Sequence, residues 1–318
     1  MTASSGHESA FRLLSRCFPI ALLCLLLAFP SLSVKGAANG LLLWFDIVLP
    51  TLAPFIICTQ MVVALGGAEL LTRPFYPAVH ALFRLSRPGT YVLLCGLLCG
   101  YPLGAKLCGE FFVRGEITRQ EADYLLSICN HPSPMFLLGF VGARLDHALP
   151  PAFLLACFYL PVIPVSLLSR RFYRPGHRYS SPAMTACSIP EKITMEEVLL
   201  STAETMVIIG GYIMLFSILA VWIQQIPLLS PEFKAFLTGV AEITTGVNQL
   251  CTAMPPKAAA LPVIATVAFG GFSGIFQTKS VIKNAGLSIR HYSFWKIIHT
   301  ICTCLIVTLL SAAVLRWR

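Results

Sequence analysis

Two short strings carry residue types that bind small polar solutes: Asn130-His131-Pro132-Ser133-Pro134, and Gly270-Gly271-Phe272-Ser273-Gly274 followed by Gln277. In each, a serine stands just before a residue that can open a helix, Pro134 or Gly274, which is the order of an N-cap and a first helical position. A helix starting there leaves amides unpaired and presents its positive dipole end, an arrangement that receives a carboxylate. Asn130 and Gln277 flank the strings with amide donors. Lys106 follows the series Gly96, Gly100, Gly104, interrupted by Tyr101-Pro102, and offers an ammonium to an anion. Glu242 and Asn248 lie in another apolar stretch and are the candidates for coupling to a proton or cation. The expected solute site is therefore Tyr101, Lys106, Asn130, Ser133, Pro134, Gly271, Ser273, Gly274 and Gln277.

Catalysis finds no support. His80, His131, His147, His177, His291 and His299 are dispersed, and neither a nucleophile elbow nor a phosphate loop occurs. The cysteines form no CxxC pair or metal-ligand spacing, so they are expected to pack rather than ligate. No enzyme activity, cofactor or metal is expected.

The elements that must position these residues belong to a membrane. Hydrophobic residues are 56% of 318 and charged residues 12%, with a mean hydropathy of +0.77, far from a soluble domain. The net charge of +9 resides in gaps between apolar runs, as positive-inside sorting requires, which excludes nucleic acid and leaves the bilayer and a small solute as partners. Self-association stays open.

The chain divides into an N-terminal transmembrane helix or signal anchor (1–39), a first unit (40–169), a basic linker (170–192), a second unit (193–290) and a C-terminal transmembrane helix (291–318). Apolar runs are expected over Cys17–Val34, Leu41–Leu65 (kinked by Pro50 and Pro54), Thr90–Val113, Leu149–Leu168, Val198–Ile223, Phe233–Ala253, Ala258–Phe276 and Phe294–Leu315. Arg12 and Arg16 precede the first. Thr118 and Glu121 match a capping box opening a helix that stops at Asn130. Arg170, Arg171, Arg174 and Arg178 mark a cytoplasmic face, and Arg316 and Arg318 place the C-terminus there too.

Shifting the chain by 143 residues pairs Pro88 with Pro231, Gly96 with Gly239 and Cys108 with Cys251. With the recurring order of elements, this predicts an all-α polytopic membrane protein of two repeated halves. Each half has a broken span and a re-entrant helical hairpin, whose tips, at 130–134 and 270–274, face a shared site.

Trp44, Pro50, Pro54-Phe55, the string Gly100-Tyr101-Pro102-Leu103-Gly104-Ala105-Lys106, Asn130 with Pro134 and Phe136, Gly210-Gly211, and Phe269 to Ser273 with Gln277 resemble the YlbJ family of sporulation integral membrane proteins, which carry nucleoside-recognition gate domains. The resemblance implies a protein of the outer forespore membrane that moves dipicolinate, and a more distant likeness to the paired hairpins of concentrative nucleoside transporters. His131-Pro132 departs from the polar run of the family. A non-transporting component of a sporulation complex is the alternative from another class.

Overall fold

The structure, a computed structural model, describes residue 17, residues 19–174 and residues 194–316, with side chains up to 310. Arg12, Arg16, Arg178, Arg318 and the linker from 175 to 193, with its Pro, Gly and Ser residues, lie outside the described residues, as do the side chains of 311–316. Every element described is helical.

Helix α1 (Pro19–Ala28) is followed by α2 (Pro30–Leu43), a π turn (Trp44–Val48) and α3 (Leu49–Ala64). The two spans expected over Cys17–Val34 and Leu41–Leu65 are thus divided differently, and residue 39 falls inside a helix. Pro30 occupies the first turn of α2, where its missing N–H costs nothing. Gly36 and Gly40 form a packing face: a Cβ added at either would stand 2.7 Å from the Ile218 Cα or 2.9 Å from the Met214 Cα. Pro50 lies in the first turn of α3 and Pro54 inside it, and the local irregularity is the π turn just before them.

After α4 (Ala68–Thr72) and α5 (Tyr76–Phe83) come α6 (Arg87–Cys99) and α7 (Leu103–Val113). The single span expected over Thr90–Val113 is thus divided in two. A straight helix would put Gly96 and Gly104 about 12 Å apart, yet a Cβ on Gly104 would lie 2.9 Å from the Gly96 Cα. The chain therefore folds back at Gly100-Tyr101-Pro102, where Gly100 takes φ +92° and the Tyr101–Pro102 peptide is cis. Helix α8 (Arg119–Ile128) is capped by Thr118, but Glu121 does not close the box. Its carboxylate accepts from the Ser86 N–H at 2.7 Å, tying α8 to the start of α6.

Beyond α8 the backbone is irregular through Ser133, then continues as a π turn (Phe136–Val141), α9 (Gly142–Arg144), α10 (Pro151–Tyr159) and α11 (Val162–Tyr173). Helix α12 (Met195–Gln224) opens with a full capping box between Thr194 and Glu197. Helices α13 (Pro231–Ala241) and α14 (Ile243–Ala253) form a second fold-back, since a Cβ on Gly246 would meet the Gly239 Cα at 2.0 Å. The single span expected over Phe233–Ala253 is thus broken at Glu242. Then follow α15 (Pro256–Phe269), α16 (Gly271–Ile282), a short 3-10 turn (Lys283–Ala285) and α17 (Ile289–Arg316).

The tight fold-backs therefore lie at 100–102 and 242, not at 130–134 and 270–274. There the arms diverge: α8 packs mainly on α7, α11 and α17 while the 136–141 arm packs on α9 and α10, and α15 packs on α14 and α17 while α16 packs on α12 and α7.

Among the described residues five stretches are long and apolar enough to cross a bilayer: Pro30–Ala64, Pro151–Tyr173, Met195–Gln224, Pro256–Ala285 and Ile289–Leu310. Large apolar side chains such as Leu27, Phe45, Val207 and Leu305 stand exposed, as lipid-facing residues do. This is an integral membrane protein. Its two hydrophobic cores each mix residues from both sides of the linker: Leu137, Cys157 and Phe158 pack with Val247, Val263 and Val267, whereas Leu125 and Phe111 share a core with Ile209 and Trp295.

The Tyr173 hydroxyl accepts from Trp295 Nε1 at 2.9 Å, and Arg119 donates to the Gly286 carbonyl at 3.0 Å. Helix α17 thus starts on the face that carries Arg170 and Arg171. Its 28 residues run about 42 Å to the opposite face. The expectation that the C-terminus shares a face with the basic cluster is corrected by this geometry.

Candidate functional site

Four interruptions of the backbone meet at one buried cavity of about 50 Å³, room for only a few waters. Its wall takes Gly100 and Tyr101 from the α6–α7 turn, Pro132 and Ser133 from the break after α8, Glu242, Ile243 and Thr244 from the α13–α14 turn, and Gly270, Ser273, Gly274 and Gln277 from the α15–α16 break. Thr51 and Leu52 of α3, Ile213 of α12, and Val48, Cys99 and Phe136 complete it.

Each fold-back touches one break. A Cβ on Gly100 would lie 2.9 Å from the Ser133 amide nitrogen, and one on Gly271 would lie 3.3 Å from the Ala241 carbonyl oxygen. Glycine is needed at both, because each also has positive φ, +92° and +65°.

Ser133 caps as expected: its hydroxyl accepts from the Phe136 N–H at 3.2 Å, and its carbonyl accepts from the Leu137 N–H at 3.0 Å. Pro134, half-buried, lies outside the wall. The Tyr159 hydroxyl contacts the Pro132 carbonyl at 2.9 Å and the Leu97 carbonyl at 3.1 Å, pinning this break to α6. Ser273 differs from its expected role. Helix α16 starts at Gly271, so Ser273 sits in its first turn and accepts from Gln277 Nε2 at 3.0 Å. The amides at the start of α16 nevertheless border the cavity.

Glu242, expected as a coupling acid, is the N-cap of α14. Its carboxylate accepts from the Thr244 N–H at 3.1 Å, the Thr245 N–H at 2.7 Å and the Thr244 hydroxyl at 2.6 Å. Three donors and a dipole end hold this charge in place at 2% exposure. Asn248 is outside the wall, with Oδ1 buried and unpaired.

Asn130 is also outside the wall and links the two breaks. Its Nδ2 donates to the Thr278 hydroxyl of α16 and to the Tyr292 hydroxyl of α17, both at 3.0 Å. Lys106 is not brought to the cavity: its ammonium donates to Thr205 at 2.8 Å and Ser201 at 3.2 Å on α12, with Glu110 3.9 Å away.

Sequence reasoning missed Lys296, which is 3% exposed. Its ammonium donates to the Asn130 carbonyl at 2.8 Å and lies 5.3 Å from the centre of the Tyr101 ring. Among the described residues no carboxylate pairs with it, and a buried charge without a counter-ion costs several kcal/mol. His131 and His299, read as dispersed, lie against each other with ring centres 4.1 Å apart and planes tilted by 37°. The signal was present in the sequence: Lys296 and His299 are three residues apart, hence on one face of an apolar helix, where ionisable groups are rare and costly.

No family model matches the chain, and no solved structure matches it. The chain is similar to the sporulation integral membrane protein YlbJ of Bacillus subtilis (strain 168), at 26% identity over 337 aligned positions that span 94% of this chain and 82% of that relative.

Proposed function

We propose that this chain is a membrane transporter for a small polar or anionic solute, and that the cavity is its solute site. The observation that supports this most is the convergence of four backbone interruptions on one buried pocket. Broken helices at membrane depth are tolerated where they line a cavity, and unpaired amides there suit a carboxylate.

The order of elements supports a repeated architecture. A long span, a helical hairpin, a broken span and a closing span occur as α2–α3, α6–α7, α8–α9 and α10–α11, and again as α12, α13–α14, α15–α16 and α17. Arms of 11 to 13 residues reach only about 17–20 Å, short of a bilayer core of about 30 Å. We therefore take both hairpins as re-entrant. Each half then crosses an odd number of times, so the halves are inverted, with one hairpin entering from each face.

We take dipicolinate, a planar aromatic dianion, as the solute to test first and the outer forespore membrane as the location, a reading supported by similarity to a sporulation integral membrane protein. The test is labelled dipicolinate uptake by proteoliposomes, with uridine as the comparison. Uptake of dipicolinate that falls at least tenfold in Ser133→Ala/Gly274→Leu, with Lys106→Gln unaffected, supports the reading. Equal uptake by the cavity variant and the native protein removes the site. No uptake of either solute favours a non-transporting component of a sporulation complex.

A further inference from the structure

The polar groups behind Tyr101 are not used by the solute reading, and they are left unsatisfied in an unusual way. Lys296 has three ammonium hydrogens and one acceptor, the Asn130 carbonyl. Around it the Tyr101 hydroxyl, Asn130 Oδ1 and both ring nitrogens of His131 are buried without partners. His299 Nε2 lies 3.1 Å from the Phe158 carbonyl, which can only accept, so Nε2 carries the hydrogen and the buried, unpaired Nδ1 is an acceptor. A purely structural network would have its polar groups paired. Here spare hydrogens sit beside spare acceptors, which is the composition of a path for a mobile proton.

The path has an opening. Tyr101 lines the cavity, and the Lys296 ammonium lies 5.3 Å from the centre of its ring. The Lys296 Cε lies beside Gly270, and Pro132 and Ser133, next to His131, are also cavity wall. We propose that Lys296, with His131 and His299, is a proton-binding site that exchanges with the cavity past Tyr101, so that an anionic solute moves together with a proton. The proton leaves the Lys296 ammonium for a neutral imidazole or for the cavity, and returns to the amine when the next anion arrives. No other bond changes.

The surrounding elements leave this role to the triad. Helix α8 brings the Cys129 thiol and the Asn130 carbonyl. Helix α16 brings the Thr278 hydroxyl, α10 the Phe158 carbonyl, and α15 the glycine at its end. From α11, Tyr173 reaches Trp295, and Tyr292 on α17 itself is bonded to Asn130. The carboxylate of the cavity wall, Glu242, is held by Thr244 and Thr245.

The proposal rests on the reading of the cavity as a solute site, and two measurements separate their failures. In proteoliposomes with a trapped pH dye and no initial pH difference, a dipicolinate gradient is expected to change the lumenal pH, and Lys296→Gln or His131→Gln to reduce that proton movement roughly a hundredfold. Dipicolinate uptake with no pH change overturns the proposal and leaves the transporter standing. If dipicolinate does not enter at all, the transport reading fails, and the proton site is read without solute. In the full chain labelled with 13C-histidine in micelles, the His131 and His299 signals, assigned through His131→Gln and His299→Gln, are expected to titrate together. Lys296→Gln should move their midpoint by about one pH unit. Signals that stay flat with pH, or that titrate identically in Lys296→Gln, overturn the proposal.

Discussion

Gly104→Ala and Gly211→Ala are the same chemical change and should act in opposite directions. At Gly104 the added methyl would stand 2.1 Å from the Cys129 carbonyl oxygen and 2.9 Å from the Gly96 Cα. Ordinary contact begins near 3.4 Å, so the hairpin would have to retreat from the end of α8 by about 1.3 Å, and both obstructing groups are backbone that cannot rotate aside. Overpacking of this kind costs about 3 kcal/mol, from which the better helix propensity of alanine recovers about 1 kcal/mol. The net loss is about 2 kcal/mol. At Gly211, inside α12, nothing lies within 4 Å of the added methyl, so only the propensity gain of about 1 kcal/mol remains. Thermal unfolding of the detergent-purified protein, followed by tryptophan fluorescence, should show Gly104→Ala roughly 4–8 °C below the native protein and Gly211→Ala about 2–4 °C above it. A Gly104→Ala protein as stable as the native one would refute the fold-back of α6 on α7 against Cys129.

Asn130→Ala removes the bonds that tie the break after α8 to α16 and α17 and leaves the Thr278 and Tyr292 hydroxyls short of a partner. About 2 kcal/mol of stability should be lost, seen as a lower unfolding midpoint, whereas an unchanged midpoint would mean the breaks are held by other contacts. Glu242→Ala strips the cap from α14 and should cost about 2 kcal/mol, with Glu242→Gln costing less because one oxygen acceptor remains. Equal losses in the two variants would show that charge, not hydrogen-bond geometry, holds that turn. A protease site placed in the basic linker and one placed after Arg318 should be cut from opposite faces of sealed vesicles; cutting of both from one face would contradict the course of α17.

Much of the membrane character was legible, because an apolar run long enough to span a bilayer announces itself in composition. The breaks at Asn130 to Pro134 and at Gly270 were legible as well, since proline and glycine interrupt helices locally. The fold-backs were not. Thr90–Val113 and Phe233–Ala253 keep their hydropathy through a turn of only one to three residues, and a helix that doubles back is as apolar as one that continues. Gly100-Tyr101-Pro102 was a visible cue, read as an interruption of a glycine series within one span and not as a reversal of the chain, while Glu242 interrupts its helix with nothing but its own backbone conformation and a capping carboxylate. Of the expected site residues, Tyr101, Ser133, Ser273, Gly274 and Gln277 reach the cavity together with Glu242. Lys106 does not, because helix α12 supplies hydroxyls that a linear reading cannot place beside it. Lys296 and His299 share one helix face, but His131 is brought to them from more than 160 residues away in the chain, a distance that periodicity cannot bridge.

The central claim is that solute sits where the two fold-backs meet the two broken helices. A density map of the full chain in lipid nanodiscs, with and without saturating dipicolinate, addresses it directly. The account predicts added density between Tyr101, Ser133, Glu242 and Ser273, with the hairpin tips displaced outward to admit it. Density confined to any other place, or identical maps under conditions where uptake is measured, would contradict it.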